Sequence, residues 1–260
     1  MKKIIISIAT LGIIGVTVAG VTLAVFSDTE TSSGNVFTAG TIDLTIDSNG
    51  SSYNGKDLGD TNFPARDLTD EHFFVFDDVK PGDYGVRDIS MHVASNPAYA
   101  CVLLNNKVDN DNGITDPEDE SDGTNDGLDG TVDGDLSKEL QLFIWEDLNN
   151  DQTYDPDSGE TALMNNTGDT GPDSFFDVDY EIMFDSTYGA GALVQNDVRN
   201  IAIAWCAGTQ TVDPTSGDID CDGSGMGDIS QSDTFSADLV LYTEQVRNNP
   251  DFECANVVLQ

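Results

Sequence analysis

Positively charged residues are scarce in this 260-residue sequence, which has ten Lys and Arg against 48 Asp and Glu. Two of the ten, Lys2 and Lys3, lie at the amino terminus, so the rest of the chain has eight. A surface this acidic repels phosphate at long range, so we expect no nucleic-acid partner and contact with a membrane only through the leader. Divalent cations are favoured instead, because the Asp residues cluster with Asn and Gly as in calcium-binding loops. An acidic surface adapted to high salt is the alternative.

Histidine is almost absent, since the chain contains only His72 and His92. The sequence has no His-Glu-x-x-His, Gly-x-Ser-x-Gly or phosphate-loop motif. It also lacks a Cys-x-x-Cys pair, which argues against a zinc site. Carboxylates are so abundant that no two of them stand out as an acid and base couple. We therefore predict that the protein is not an enzyme.

The first 24 residues have the pattern of an export signal. Lys2 and Lys3 precede an apolar run without charge that continues to Phe26. The small residues of Thr22-Leu23-Ala24 predict cleavage between Ala24 and Val25, which releases an extracellular protein. An uncleaved anchor is the alternative, because about 20 apolar residues also span a bilayer.

The four cysteines are an even number in an exported chain, which predicts two disulfides. Four cysteines allow three pairings. The simplest pairing joins Cys206 to Cys221 across the loop between them, which leaves Cys101 for Cys254.

Alternating apolar and polar runs between Gly, Asp, Asn and Pro clusters predict an all-β fold over residues 37–260. Eight or nine strands with unequal loops indicate an antiparallel two-sheet jelly-roll sandwich. The segment HFFVFDDV at 72–79 is one predicted strand. An insertion at 106–135 has eleven acidic residues and no basic residue after Lys107, so we expect it to be disordered without bound cations.

The segment DLNNDQTYDPDSGE at 147–160 resembles an EF-hand calcium loop, with hard oxygen ligands on alternating residues. It departs from that loop at Gln152, where glycine is usual, and at Ser158, so that Asp157 or Glu160 must supply the last carboxylate. A less regular set of ligands is predicted in the insertion, and solvated turns are the alternative for both segments. The predicted ligands are Asp147, Asn149, Asp151, Thr153 through its carbonyl, Asp155, Asp157 and Glu160, and in the insertion Asp109, Asp111, Asp116 and Asp119.

Three stretches resemble the TasA/camelysin family of exported fibre proteins. They are LAVFSDTETSSGNVFTAGTIDLTI, FDDVKPGDYGVRDISMHVASNPAYACVLL and TFSADLVLYTEQVRNN, whereas the acidic middle of the chain departs from the family. The resemblance implies a jelly-roll sandwich, released by a dedicated signal peptidase and assembled into the fibres of a biofilm matrix. It also implies that residues 25–36, with Val25, Phe26 and Val36, act as a donor strand for a neighbouring subunit.

The resemblance makes other copies of the chain the main partner, with other matrix or surface proteins as further partners. Three alternatives remain. Residues 25–36 are a linker instead of a donor strand, the protein is a monomeric, surface-anchored and calcium-dependent adhesin, or it is a camelysin-like metalloendopeptidase that uses His72 or His92.

Overall fold

A computed structural model describes residues 42–113, 115–122, 134–163, 172–174, 180–187 and 191–258. The predicted signal peptide, the Ala24–Val25 cleavage site and the donor segment at 25–36 lie outside the described residues. Strands dominate the described part and every strand pair in it is antiparallel, which confirms the predicted all-β class. No helix of the described part is long and apolar enough to cross a membrane.

The strands vary from two to thirteen residues in length, and the helices are short. The strands are β1 (Leu44–Ser48), β2 (Ser51–Tyr53), β3 (Lys56–Asp57), β4 (Phe63–Arg66), β5 (Tyr84–Val93), β6 (Ala98–Asn110), β7 (Leu140–Glu146), β8 (Thr161–Ala162), β9 (Asp173–Ser174), β10 (Tyr180–Phe184), β11 (Asp197–Ala207), β12 (Thr209–Val212), β13 (Ile219–Asp222) and β14 (Thr234–Gln245). The helices are α1 (Asp116–Asp122) and α2 (Leu136–Glu139), and 3₁₀ turns occupy Gly59–Thr61, Pro156–Ser158, Gly223–Gly225, Asp228–Ser230 and Cys254–Asn256.

The described strands form three sheets. The largest has the order β3-β2-β5-β11-β7-β8, with β1 paired to β4 and β5, and β9 paired to β7. The second sheet has the order β10-β6-β14, and β12 and β13 form a separate pair. Both larger sheets contribute buried side chains to one apolar core, among them Ile89 and Met91 of β5, Val102 of β6, Ile201 and Ile203 of β11 and Phe184 of β10.

The centre of the large sheet is the long pairing of β5 with β11, from Tyr84 opposite Cys206 to Val93 opposite Asp197. Alternation along β5 predicts one apolar and one polar face, but Asp88 and Ser90 on the polar face are also buried. The carboxylate of Asp88 accepts hydrogen bonds from the backbone N–H of Asn49, at 2.9 and 3.0 Å. Burial of this polar face is tolerated because its polar groups have such partners.

Two sequence predictions of local structure are wrong. The segment at 72–79 forms no strand; it is an irregular loop in which Phe73 packs against the core beside Phe63, with ring centroids 5.9 Å apart. The first residues of the predicted insertion, 106–110, belong to β6. Pairing with β14 accounts for this extension, because it places Asn110 opposite Thr234 and gives the polar backbone a hydrogen-bonding partner.

Both disulfides have the pairing that the cysteine spacing suggests, Cys101 with Cys254 and Cys206 with Cys221. The second bond joins β11 to β13. The first fastens the carboxyl-terminal segment to β6, where Phe252 stacks on Tyr99 with ring centroids 5.3 Å apart. Paired cysteines are typical of proteins in an oxidising compartment.

Candidate metal centres

The EF-hand-like loop at 147–160 connects β7 to β8. Its first residue, Asp147, follows directly on β7 and is fully buried. The backbone N–H of Asp147 donates to the carbonyl of Asn200 at 3.0 Å, so the loop begins at a position fixed by the neighbouring strand β11.

The Asp147 carboxylate is held by the loop backbone. The N–H of Asp151 donates to its Oδ1 at 3.1 Å and the N–H of Gln152 to its Oδ2 at 2.8 Å. Asn150 and Gln152 have positive φ angles of 57° and 64°, which turn successive N–H groups toward the carboxylate. The left-handed conformation that glycine usually supplies in an EF-hand is therefore taken here by Gln152.

Glu160 closes the other end of the loop. It is 5% exposed, and its two carboxylate oxygens accept hydrogen bonds from the N–H groups of Leu148 at 3.1 Å and Asp155 at 2.8 Å. Of the two carboxylates that sequence offers for the last ligand position, Glu160 is the one that turns back into the loop, whereas Asp157 is exposed.

The two buried carboxylates of the loop repel each other. Burial raises the pKa of Asp147, and the charge of Asp151 raises it further. Burial also raises the pKa of Glu160, with added contributions from the charges of Asp147 and Asp151. A bound divalent cation would offset both the loss of solvation and the repulsion.

The other predicted ligands of the loop include three that form hydrogen bonds within the loop, namely Asn149, Asp151 and Asp155. Asn149 Nδ2 donates to Asp151 Oδ2 at 2.9 Å, and the N–H of Thr153 donates to Asp151 Oδ1 at 2.9 Å. Asp155 accepts from the N–H of Ser158 at 3.2 Å and so caps the 3₁₀ turn. The loop therefore brings Asp147, Asp151 and Glu160 into one neighbourhood and directs Asp155 elsewhere.

A second acidic group lies where the insertion meets the start of β14. Asp111, Glu118 and Asp233 each place a carboxylate oxygen within 4.8 Å of the other two, and in the described part of the chain no other three Asp, Glu, His or Cys side chains meet that criterion. The sequence predicted Asp111 as a ligand but missed Glu118 and Asp233. The signal for Asp233 is tertiary, because only the pairing of β6 with β14 brings it beside Asp111.

The other ligands predicted in the insertion have different positions. Asp109 is close enough to Asp233 for its charge to affect the pKa of that residue, and it accepts a hydrogen bond from the N–H of Ser137 at 2.9 Å. Asp116, at the start of α1, is exposed. The side chain of Asp119 lies outside the described part of the structure.

The two histidines belong to neither acidic group. His72 is exposed in the loop before β5, and His92 on β5 lies with Nε2 2.7 Å from Asp47 Oδ2. No family model matches the chain, and no curated protein matches it significantly. The resemblance to the TasA/camelysin family therefore stays a prediction from the three stretches quoted above.

Proposed function

We propose that this protein is an exported structural subunit of a cell-surface or biofilm-matrix fibre. In this proposal the domain is a jelly-roll sandwich that polymerises by donor-strand exchange, and calcium stabilises it. The observation that supports strand addition best is the edge of β14. Among the described strands, β14 pairs with β6 alone, so no strand of the described part lies along its other side.

The edge of β14 offers both hydrogen bonds and apolar surface. The strand is twelve residues long, and its inward Leu239 and Leu241 pack against the core while remaining only partly buried. A strand added alongside would pair backbone groups along this edge, at about 1 kcal/mol net for each hydrogen bond. It would also cover the two leucines. Main-chain pairing supplies affinity in this mode of association, and side-chain pockets supply specificity.

The donor in this proposal is the segment at 25–36, which cleavage after Ala24 would place at the new amino terminus. It contains twelve residues, the same number as β14. At about 3.3 Å per residue, an extended segment of that length matches the whole edge. Its apolar residues Val25, Phe26 and Val36 stand at its two ends, where they could flank a polar centre.

Calcium enters the proposal through the loop at 147–160. Asp147 and Glu160 are buried near each other, and the loop backbone already orients both carboxylates. Oxygen-only ligands of this kind suit calcium rather than a transition metal. The two disulfides fit an extracellular location, where other matrix or surface proteins would be further partners.

Deletion of residues 25–35 tests strand addition. We expect the shortened mature protein to keep the circular dichroism spectrum of the intact one, to elute as a monomer, and to form no filaments in electron micrographs. Phe26→Ser with Val36→Ser should have the same effect. The matched control, Asp28→Asn with Glu30→Gln, keeps the apolar residues and should form filaments. Filaments of normal yield from the deleted protein would refute the donor role.

A further inference from the structure

A cavity of about 80 Å³ is lined on one side by residues of β2, β5 and β11 and on the other by the aromatic loop at 72–79. The loop contributes Phe73, Phe74 and Phe76, which are partly buried. His72 and Val75 also line the cavity and are exposed, so its rim reaches the protein surface.

Two buried side chains that line this cavity carry an N–H group without an acceptor in the described part of the chain. They are Arg87, through Nε, and Trp205, through Nε1. The two residues are 2% and 4% exposed. Trp205 of β11 lies opposite Gly85, two residues before Arg87 on β5, so both side chains point to the same face of the sheet. A buried donor without an acceptor loses its hydration without compensation, so an acceptor bound here would stabilise both groups.

The charge of Arg87 also lacks a counter-ion. Its Nη1 and Nη2 donate to Oγ1 and the carbonyl of Thr61, at 2.6 and 2.9 Å, and its guanidinium carbon lies 5.6 Å from the ring centroid of Phe73. None of the ion pairs among the described residues involves Arg87. The adjacent Asp88 points to the opposite face of β5, where it accepts from the backbone N–H of Asn49. A buried charge is costly unless it is paired, so this position favours an anion.

We propose that the cavity binds a short-chain carboxylate such as acetate or propionate, with Arg87 and Trp205 as the donors. A carboxylate supplies both the negative charge that Arg87 lacks and two oxygens that accept hydrogen bonds. The phenylalanines of the loop pack against its alkyl end. The proposal depends neither on fibre assembly nor on calcium.

The size and walls of the cavity restrict the ligand. Its volume is about half that of the roughly 150 Å³ cavity that holds benzene in another protein, so an aromatic carboxylate such as benzoate is too large. Water could accept from both N–H groups, but it would leave the charge of Arg87 unpaired. Chloride would supply the charge, but it has no alkyl group to contact the phenylalanine rings.

Two-dimensional ¹H–¹⁵N NMR of the purified protein tests the site, because the chain has only two tryptophans and hence two indole N–H signals. Titration with sodium acetate at constant ionic strength should shift the Trp205 signal to saturation, since its proton gains an acceptor. Trp145 Nε1 also has no acceptor among the described residues, but Trp145 does not line the cavity, so its signal should stay in place. Sodium benzoate and sodium chloride should shift neither signal.

Two pairs of variants test the donors, with binding followed through the backbone N–H signal of Gly85. Trp205→Phe keeps an aromatic ring and removes the N–H, and it should weaken acetate binding at least about tenfold, whereas Trp145→Phe should not. Arg87→Gln should abolish binding, and Arg66→Gln, the same change at an exposed arginine, should leave it unchanged. Circular dichroism verifies folding, and the tryptophan pair decides the result if Arg87→Gln does not fold.

The proposal is overturned if acetate and propionate produce no saturable shift at Trp205, because water alone then meets the two N–H groups. It is equally overturned if chloride shifts the Trp205 signal as acetate does, or if Trp205→Phe binds acetate with the affinity of Trp145→Phe. Binding of benzoate as tight as that of acetate would contradict the assigned ligand size.

Discussion

Removal of the Cys101–Cys254 bond should destabilise the protein more than removal of the Cys206–Cys221 bond. The first bond joins residues 153 positions apart and the second joins residues 15 positions apart. In the chain-entropy model, closing the longer loop stabilises the fold by about 5 kcal/mol, whereas the shorter loop contributes about 3 kcal/mol. The difference arises in the unfolded chain, which gains more freedom when the longer loop is opened.

The native contacts around the Cys101–Cys254 bond also indicate that its removal destabilises the protein more. The segment that Cys254 fastens stacks Phe252 against Tyr99 and Tyr242, and the N–H of Cys254 donates to buried Asp185 Oδ2 at 2.9 Å. Without the covalent bond these contacts alone must hold the segment against its conformational entropy. Local release of the segment would then expose part of the second sheet.

Urea denaturation of two double variants, Cys101→Ala with Cys254→Ala and Cys206→Ala with Cys221→Ala, measures the difference. Neither variant has a free thiol, and mass spectrometry confirms that the other disulfide is intact. We expect the free energy of unfolding to be lower by about 2 kcal/mol in the first variant than in the second. Equal stabilities, or the opposite order, would show that native strain or residual structure in the unfolded chain outweighs loop entropy.

Two further predictions concern the loop at 147–160 and the turn before β5. Addition of EDTA should lower the melting temperature and open residues 106–160 to proteolysis. Asp147→Asn should reduce this change in melting temperature, whereas the control Asp157→Asn, at an exposed position, should not. An unchanged melting temperature and digestion pattern on addition of EDTA would contradict calcium binding. Burial opposes ionisation of Asp83, but hydrogen bonds from Tyr53, Asn54 and Lys80 outweigh burial and lower its pKa. The ionised carboxylate therefore stabilises the fold at neutral pH, and this contribution is lost as the pH falls below the ordinary value of 3.8. Asp83→Asn should lower the free energy of unfolding, measured by urea denaturation, by about 2–4 kcal/mol at pH 7. The difference from the unmodified protein should shrink in acid. A difference that does not change with pH would contradict a stabilising role of the ionised Asp83 carboxylate.

The candidate metal ligands show how far sequence reasoning reaches. The loop at 147–160 is contiguous, so the spacing of its acids already marks Asp147 as the first ligand. It leaves Asp157 and Glu160 open for the last ligand, and only the structure shows Glu160 turned back into the loop. The sequence does not predict the left-handed backbone conformation of Gln152. In the fold, the Gln152 side chain lies against Gly50 of the β1–β2 turn, and this contact depends on tertiary structure. The Asp233 position is separated from Asp111 by more than a hundred residues, and only strand pairing joins them.

Sequence by itself determined the all-β class and the simplest disulfide pairing, because alternation and cysteine spacing are local properties of the chain. Tertiary structure alone decided that the polar face of β5 is buried, that the aromatic segment at 72–79 packs as a loop, and that β6 continues into the acidic insertion. The physical reason is that burial, strand pairing and the gathering of carboxylates depend on which distant segments meet. The local sequence pattern restricts which segments can pair or pack together, but it does not specify which of them do.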